Sequence, residues 1–461
     1  MKRFLPLRTA LLAAALTPFA SLQAQTADRS ELQALRTQVQ QLEQQLKVLA
    51  RQIELKDEAA AAAAPTTPRI TVNDRGVTLA SPDAANSIRL RGLVQLDNRL
   101  FFDDAGGVNN NAFVLRRARL ISEGLFAKNY GFQLVTEFGG STVSILDANL
   151  TIGLTKWAQL RIGKFKVPVG HEQLQSDAWT FFNERSIATN LVPNRDLGIQ
   201  VGGDLAEGRV NYALGVFNGV GDGGSTTNTD FDEEKSVAGR FFFTPFRNEA
   251  GSPVQGLGLG ISGSLGREKT AAARTSGYRT DGQQTFFAYN AAVVSDGQNW
   301  RVSPHLDYRA GSFGLLGEYI LSTSNLRPTA TGPKSEIQNK AWQLAAGYVL
   351  TGEDSSAAGV VPRTNFDLAA GTWGAFELVG RYANLKIDDV VFPTFASAAS
   401  NADEAKSYGL GLNWYLGKAA MLKIDYYQTD FGFNAAAPAL STAPVLRQDE
   451  KAFITRFQLT F

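Results

Sequence analysis

The chain has 461 residues, 44% of them hydrophobic and 10% aromatic, with 45 Lys and Arg against 44 Asp and Glu. A formal charge of +1 argues against a nucleic-acid partner, and the absence of cysteine excludes disulfides and thiolate chemistry. A mean hydropathy of −0.13 is too polar for a helical membrane protein but suits a barrel, in which only every second strand residue meets lipid.

Residues 1–24 read as a secretory signal. Lys2, Arg3 and Arg8 form its basic region, Leu11 to Leu16 its short apolar region, and Leu22-Gln23-Ala24 its cleavage site. The apolar run is too short to span about 30 Å of hydrocarbon, which disfavours a membrane anchor. Cleavage leaves 42 basic against 44 acidic residues, so any charge selectivity must come from where the charges sit.

Residues 25–58 form the second predicted element, a periplasmic coiled coil. Leu32, Leu35, Val39, Leu42, Leu46, Leu49 and Ile53 are spaced 3-4-3-4-3-4, an a/d seam over three heptads. The alternative is a single amphipathic helix lying on another surface. Residues 59–86 read as a linker, alanine-rich with Pro65 and Pro68.

From residue 87 a two-residue period takes over. Ile88, Leu90, Val94 and Leu96 share one face of the first strand; Arg89, Arg91, Gln95, Asp97 and Arg99 share the other. The pattern predicts sixteen strands: 87–102, 113–126, 130–139, 145–154, 157–167, 196–205, 209–218, 235–245, 256–267, 301–309, 313–323, 339–351, 373–386, 405–416, 420–430 and 450–461. Residues 284–294 are assigned to a long loop, because a seventeenth strand would break parity. Residues 352–372 form a long connection on the side of the short turns. The last strand ends in Phe461, the aromatic terminus usual for outer-membrane barrels and read here as an assembly signal. The fold class expected is all-β: a 16-stranded antiparallel transmembrane barrel over 87–461, with an N-terminal α-helical coiled coil. The alternative, a soluble β-sandwich, fits the signal segment and the aromatic strand ends poorly.

Seven blocks then follow in order. They are Phe113-Val114-Leu115-Arg116-Arg117-Ala118-Arg119-Leu120; Glu137-Phe138-Gly139-Gly140; Leu146-Asp147-Ala148; Gly163-Lys164-Phe165-Lys166-Val167-Pro168-Val169-Gly170; Asn183-Glu184-Arg185-Ser186; and Val192-Pro193-Asn194-Arg195-Asp196-Leu197-Gly198-Ile199-Gln200, closed by Gly215-Val216-Phe217-Asn218-Gly219. In these blocks the chain resembles the phosphate- and polyphosphate-selective porins, the O and P family. The resemblance implies a homotrimeric outer-membrane barrel with an anion-selective pore, narrowed by a third loop at about 168–196 and with a fifth at about 268–300 also folding in. It implies a ladder of arginines and a cluster of lysines along the anion path. Here the third loop is mixed in charge, with His171, Glu172, Asp177, Glu184, Arg185, Arg195 and Asp196, and the acids weigh against strict phosphate preference.

The residues make their own case for an anion path. Parity turns Arg89, Arg91, Arg99, Arg117, Arg119 and Arg161 inward, with Glu123, Glu137 and Asp147 near enough to pair with them. Arginine rings select anions, and the planar guanidinium suits phosphate oxygens. Lys164 and Lys166 share the parity of the outward Leu160 and Ile162, so they lie at a strand end or a bulge re-aims them inward; Arg185 and Arg195 complete the candidate path. Arg116 is expected to snorkel to the interface. His171 and His305 are far apart in the sequence and make no metal site. Asp222 and the run Asp230 to Glu234 read as a solvated acidic loop. No nucleotide loop or Gly-x-Ser-x-Gly or His-Glu-x-x-His spacing appears, so neither cofactor nor enzymatic role is expected. The function expected is passive uptake of phosphate, polyphosphate or other small anions through a barrel set in outer-membrane lipid. The alternative is a general diffusion porin of the same fold.

Overall fold

The computed structural model describes residues 25–63, 67–74, 76–102, 110–226, 229–270, 277–434 and 449–461. The signal segment 1–24 and the side chain of Leu32 lie outside the described residues. Two compact units are present, 1–67 and 68–461.

The first unit contains a 39-residue helix, α1 (Gln25–Ala63). Leu35, Val39, Leu42, Leu46, Leu49 and Ile53 are all at least half exposed on it, so these seam residues are uncovered among the described residues.

The second unit begins with two short strands, β1 (Arg69–Asn73) and β2 (Gly76–Ala80), where a linker was expected. Its wall continues with β3 (Ser87–Phe102), β4 (Ala112–Phe126), β5 (Tyr130–Glu137), β6 (Ser144–Gly153), β7 (Gln159–Lys166), β8 (Arg195–Leu205), β9 (Val210–Phe217), β10 (Ser236–Phe243) and β11 (Leu257–Lys269). A small hairpin of β12 (Tyr278–Arg279) and β13 (Thr285–Phe287) stands apart from the wall. The wall resumes with β14 (Val294–Ala310), β15 (Phe313–Arg327), β16 (Ser335–Val349), β17 (Ala375–Lys386), β18 (Glu404–Tyr415), β19 (Ala420–Gly432) and β20 (Asp449–Thr460). The small hairpin sits inside the loop that was predicted around 284–294.

β3 to β11 and β14 to β20 are the sixteen wall strands. β20 pairs antiparallel with β3 from Lys451↔Phe102 to Thr460↔Leu93, which closes the barrel. Closure leaves no wall edge in the hydrocarbon, the condition for a sheet to cross a bilayer. Alternation decides the faces. Gln95, Asp97, Arg99 and Phe101 are buried inside β3, while Leu90, Leu96 and Phe102 stand outside. On β16, Asn339, Ala341, Gln343 and Ala345 face in, and Trp342, Leu344 and Tyr348 face out.

Two inserted loops fill the lumen along β15 to β20. In the 167–194 loop, Val167, Val169, Ile187, Leu191 and Val192 pack with Phe286 and Phe287 of the 270–293 loop and with Ile320, Ile337 and Ala383 of the β15–β17 wall. Phe181 and Phe182 pack on Leu316, Val379, Tyr427 and Ile454. From the short-turn end, the 350–374 connection brings Val360 against Trp179. The open space therefore lies along β3 to β10.

Candidate functional site

Two cavities follow that wall. One, of 390 Å³ on the long-loop side, is lined by Arg116, Arg117, Arg119, Arg185, Arg195 and Arg279 against Glu137, Asp177 and Glu184. The other, of 590 Å³ on the short-turn side, is lined by Arg91, Arg119, Arg161, Lys166, Arg195 and Arg240 against Asp147, Asp177 and Asp204. Each has six cations to three carboxylates. Only Arg119, Asp177 and Arg195 line both, so these three form the aperture between them.

The aperture is held by ion pairs. Arg119 donates to Glu137 Oε2 at 2.6 Å and to Asp177. Arg185 donates to Asp177 and to the carbonyls of Glu172 and Gln175. Arg195 donates to both Asp147 oxygens at 3.2 Å. Asp177 and Glu184 are buried, which opposes their ionisation. Arg185, Arg117 and Arg119 around the first, and Arg116, Arg456 and Arg117 around the second, still hold both carboxyls well below the usual carboxylate range.

The other predicted cations differ in how far they reach the two cavities. Arg99 is buried between Asp97 at 2.9 Å and Glu184 at 3.6 Å and lines neither cavity. Arg117 donates to Gln95 Oε1 at 2.6 Å and reaches only the long-loop cavity. Arg89 and Arg91 share Glu123 near the short-turn mouth, at 3.5 and 2.9 Å. Arg161 lies over the Phe165 ring and forms no ion pair among the described residues.

Parity failed where the backbone departs from regular pleating. Arg116, expected at the lipid interface, occupies an irregularity at which Gln95 pairs with Arg117 but Leu96 with Leu115. The extra residue turns inward, and Arg116 grips Glu184 through two hydrogen bonds of 2.6 and 3.0 Å. Gly163 has φ 124°, a backbone geometry costly for other residues, and beyond it Lys164 is buried near Asp147 and Asp196. Lys166 donates to the carbonyls of Gln173 and Gln175 at 2.8 Å each, so it fastens the inserted loop from inside.

The histidines are close in space: the rings of His171 and His305 stack at 4.9 Å. Among the described residues no metal-binding group of His, Cys, Asp or Glu forms there. Arg240 donates to His171 Nδ1 at 3.4 Å, and Nε2 donates to Asp307 at 3.1 Å. Asp222, expected in solvent, is buried and accepts from Arg301, Ser322 and Tyr278 at 2.7 to 2.8 Å.

Sequence reasoning also passed over the anchors of the loop. Arg456 donates to Asp97 at 2.6 and 2.8 Å and to Glu184 at 2.7 Å. Lys423 caps the carbonyls of Thr180 and Phe182, and Arg381 reaches Asp281 at 2.5 Å and the Glu184 carbonyl at 3.0 Å. Arg240 shares inward parity with the buried Ala238, so its place was readable; the partners of the others, 100 or more residues away in sequence, were not.

A closed barrel, apolar outside and charged around a narrowed lumen, is a porin. The family model for phosphate-selective porin O and P matches residues 88–461. The chain is 24% identical over 425 residues to Porin O of Pseudomonas aeruginosa, covering 84% of this chain and 91% of that protein. Among solved structures it resembles an anion-selective porin from Comamonas acidovorans at TM-score 0.51 and 14% identity, over 82% of this chain and all of that one. It also resembles the outer-membrane channel DcaP of Acinetobacter baumannii at TM-score 0.51 and 11% identity, over 82% and 98%. The chain belongs to the phosphate-selective porin O and P family, and it is a porin of the outer membrane.

Proposed function

We propose that the pathway carries phosphate and short polyphosphates through the aperture of Arg119, Asp177 and Arg195. The observation that supports this is the run of two cavities, each with six cations to three carboxylates, meeting at that aperture. Field lines are focused by the low-dielectric wall, which concentrates anions on both sides. Guanidinium forks suit phosphate oxygens. The carboxylate paired to each aperture arginine keeps binding weak enough for release, a requirement of conduction. The same pairing leaves the general diffusion reading open to test.

Purified protein in a planar bilayer under a potassium chloride gradient decides between them. The expected result is an anion-directed reversal potential, with chloride current blocked by low phosphate and by tripolyphosphate. Anion selectivity without block discards the phosphate site and leaves a general anion pore; a potential near zero discards the phosphate reading and favours the general diffusion porin.

The exposed seam of α1 supports a second part of the reading: copies assemble, as trimers, through a periplasmic coiled coil. Deletion of 30–56 is expected to lower the temperature at which the oligomer dissociates, and an unchanged oligomer refutes it.

A further inference from the structure

Two arginines of the short-turn cavity have no carboxylate to satisfy them. Arg161 on β7 forms neither an ion pair nor a side-chain hydrogen bond among the described residues; it rests over the Phe165 ring at 5.4 Å. Arg240 on β10 forms no ion pair among the described residues either. Its terminal nitrogens meet Asn211 Oδ1 at 2.7 Å and His171 Nδ1 at 3.4 Å, and its guanidinium lies 4.7 Å above the Phe242 ring. In both residues Nε is buried and has no hydrogen-bond partner. Buried donors left unpaired are costly, and both side chains line the same 590 Å³ cavity.

The cations at and around the aperture are in the opposite condition. Arg119 is held by Glu137 and Asp177, Arg185 by Asp177, Arg195 by Asp147 and Arg91 by Glu123. An anion at the aperture must share a guanidinium fork with a carboxylate. At Arg161 and Arg240 it meets donors with no acidic competitor.

The backbone sets these two cations at opposite ends of one recess. Arg161 pairs with Gln200, Gln200 with Gly215 and Gly215 with Ala238; Arg240 follows Ala238 by two residues and keeps its inward face. Three strand spacings and two residues of rise put the Cα atoms at most about 16 Å apart. Gly202 and Ala213 pair with one another beside Arg240, which keeps the floor of the recess low, and Gln200 adds an amide. An extended anion fits that separation better than a single small ion. Arg161 also lines a third cavity, of 370 Å³, together with Arg89 near the short-turn mouth. The recess therefore lies beyond the aperture, where the path turns towards that mouth.

We propose that Arg161 and Arg240 form a holding station for a linear polyanion with at least two phosphate groups, one gripped by each guanidinium once the anion has cleared the aperture. This rests on the phosphate pathway proposed above and adds the place where the anion dwells.

The test measures block of chloride current by tripolyphosphate, with the purified full chain in a planar bilayer at low salt. Arg161 holds no wall residue by a hydrogen bond, so Arg161→Gln should keep a heat-resistant barrel. Arg161→Gln and Arg240→Gln are each expected to raise the half-blocking concentration about fivefold, and the double variant by about twentyfold. Orthophosphate, which meets one guanidinium at a time, should lose less in the double variant. Arg91→Gln removes the same unit of charge from the same cavity, but from a cation already paired with Glu123, and should change the block far less. An unchanged half-blocking concentration in Arg161→Gln overturns the proposal. An equal rise in Arg91→Gln also overturns it, by assigning the effect to the general field, and an equal loss for orthophosphate overturns the two-ended grip. If tripolyphosphate does not block the unmodified channel, the phosphate pathway itself falls; a block that survives in the double variant removes only the station.

Discussion

Replacing Arg119 with Gln removes the one wall cation that faces both cavities and directly contacts Asp177. A guanidinium about 4 Å from a permeant anion contributes about 1 kcal/mol in a water-like medium, and more where the wall excludes water. That corresponds to about a fivefold change in local anion occupancy. The six-to-three balance becomes five-to-three on each side of the aperture. Asp177 stays ionised, because Arg117 and Arg185 remain beside it. The anion-to-cation permeability ratio from the reversal potential is therefore expected to fall by about fivefold. Low salt is the right condition, since screening at 0.1 M already acts over about 10 Å. Arg117→Gln is the control: Arg117 reaches only the long-loop cavity and is occupied with Gln95, so its loss should change selectivity less. A folded Arg119→Gln channel with an unchanged permeability ratio would refute the assignment of the aperture.

Arg456→Ala removes the closest cation from Asp97 and one of several from Glu184, leaving Arg99 beside both and Arg116 on Glu184; a fully broken buried pair costs about 3–5 kcal/mol, which bounds the loss from above. Loosening of the 167–194 loop should appear as noisier, larger single-channel currents and a lower thermal transition. Gly163→Val places a Cβ 2.3 Å from the Ala148 carbonyl oxygen at a positive φ. A penalty of about 1–3 kcal/mol and reduced anion selectivity, through displacement of Lys166, are expected in melting and bilayer assays. For pH, Asp177 and Glu184 are held below the usual carboxylate range, so their contribution to stability is complete above the unfolded values near ~4 and is lost only as pH falls through the lower folded values. Selectivity and heat stability should be flat from neutral pH to about pH 5; a loss of loop closure in that range, read as a rise in conductance, contradicts the sign. Removing Phe461 deletes the two backbone bonds to Gly92 at the closing seam, and the yield of heat-resistant barrel on refolding should drop.

The barrel was legible because water inside and lipid outside impose a period of two on every wall strand. Strand limits such as 87–102 for β3 and 420–430 for β19 fall within two residues of those observed. Parity then located Arg117, Arg119 and Arg161 on the lumen side. It failed at Arg116, because one inserted residue reverses the faces that follow, and no residue type announces that insertion. Gly163 was a readable hint, since a glycine inside a strand often marks such a break. The hairpin at 69–80 was missed although Ile70, Val72, Val77 and Leu79 alternate, because the neighbouring prolines and alanines suggested an unstructured connector. The split of the cations into path and anchors was not legible at all. It depends on which side of the barrel the inserted loop chooses, and that is set by the apolar packing of Phe181, Phe182 and Leu191 against β15 to β20.

The inserted loop is gripped from many directions at once. Lys166 holds it from β7, Arg381 from β17, Lys423 from β19 and Arg456 from β20, while Trp179 meets Val360 from the opposite mouth. A mesh fastened all round its rim keeps one gauge. Such a filter discriminates without a moving part.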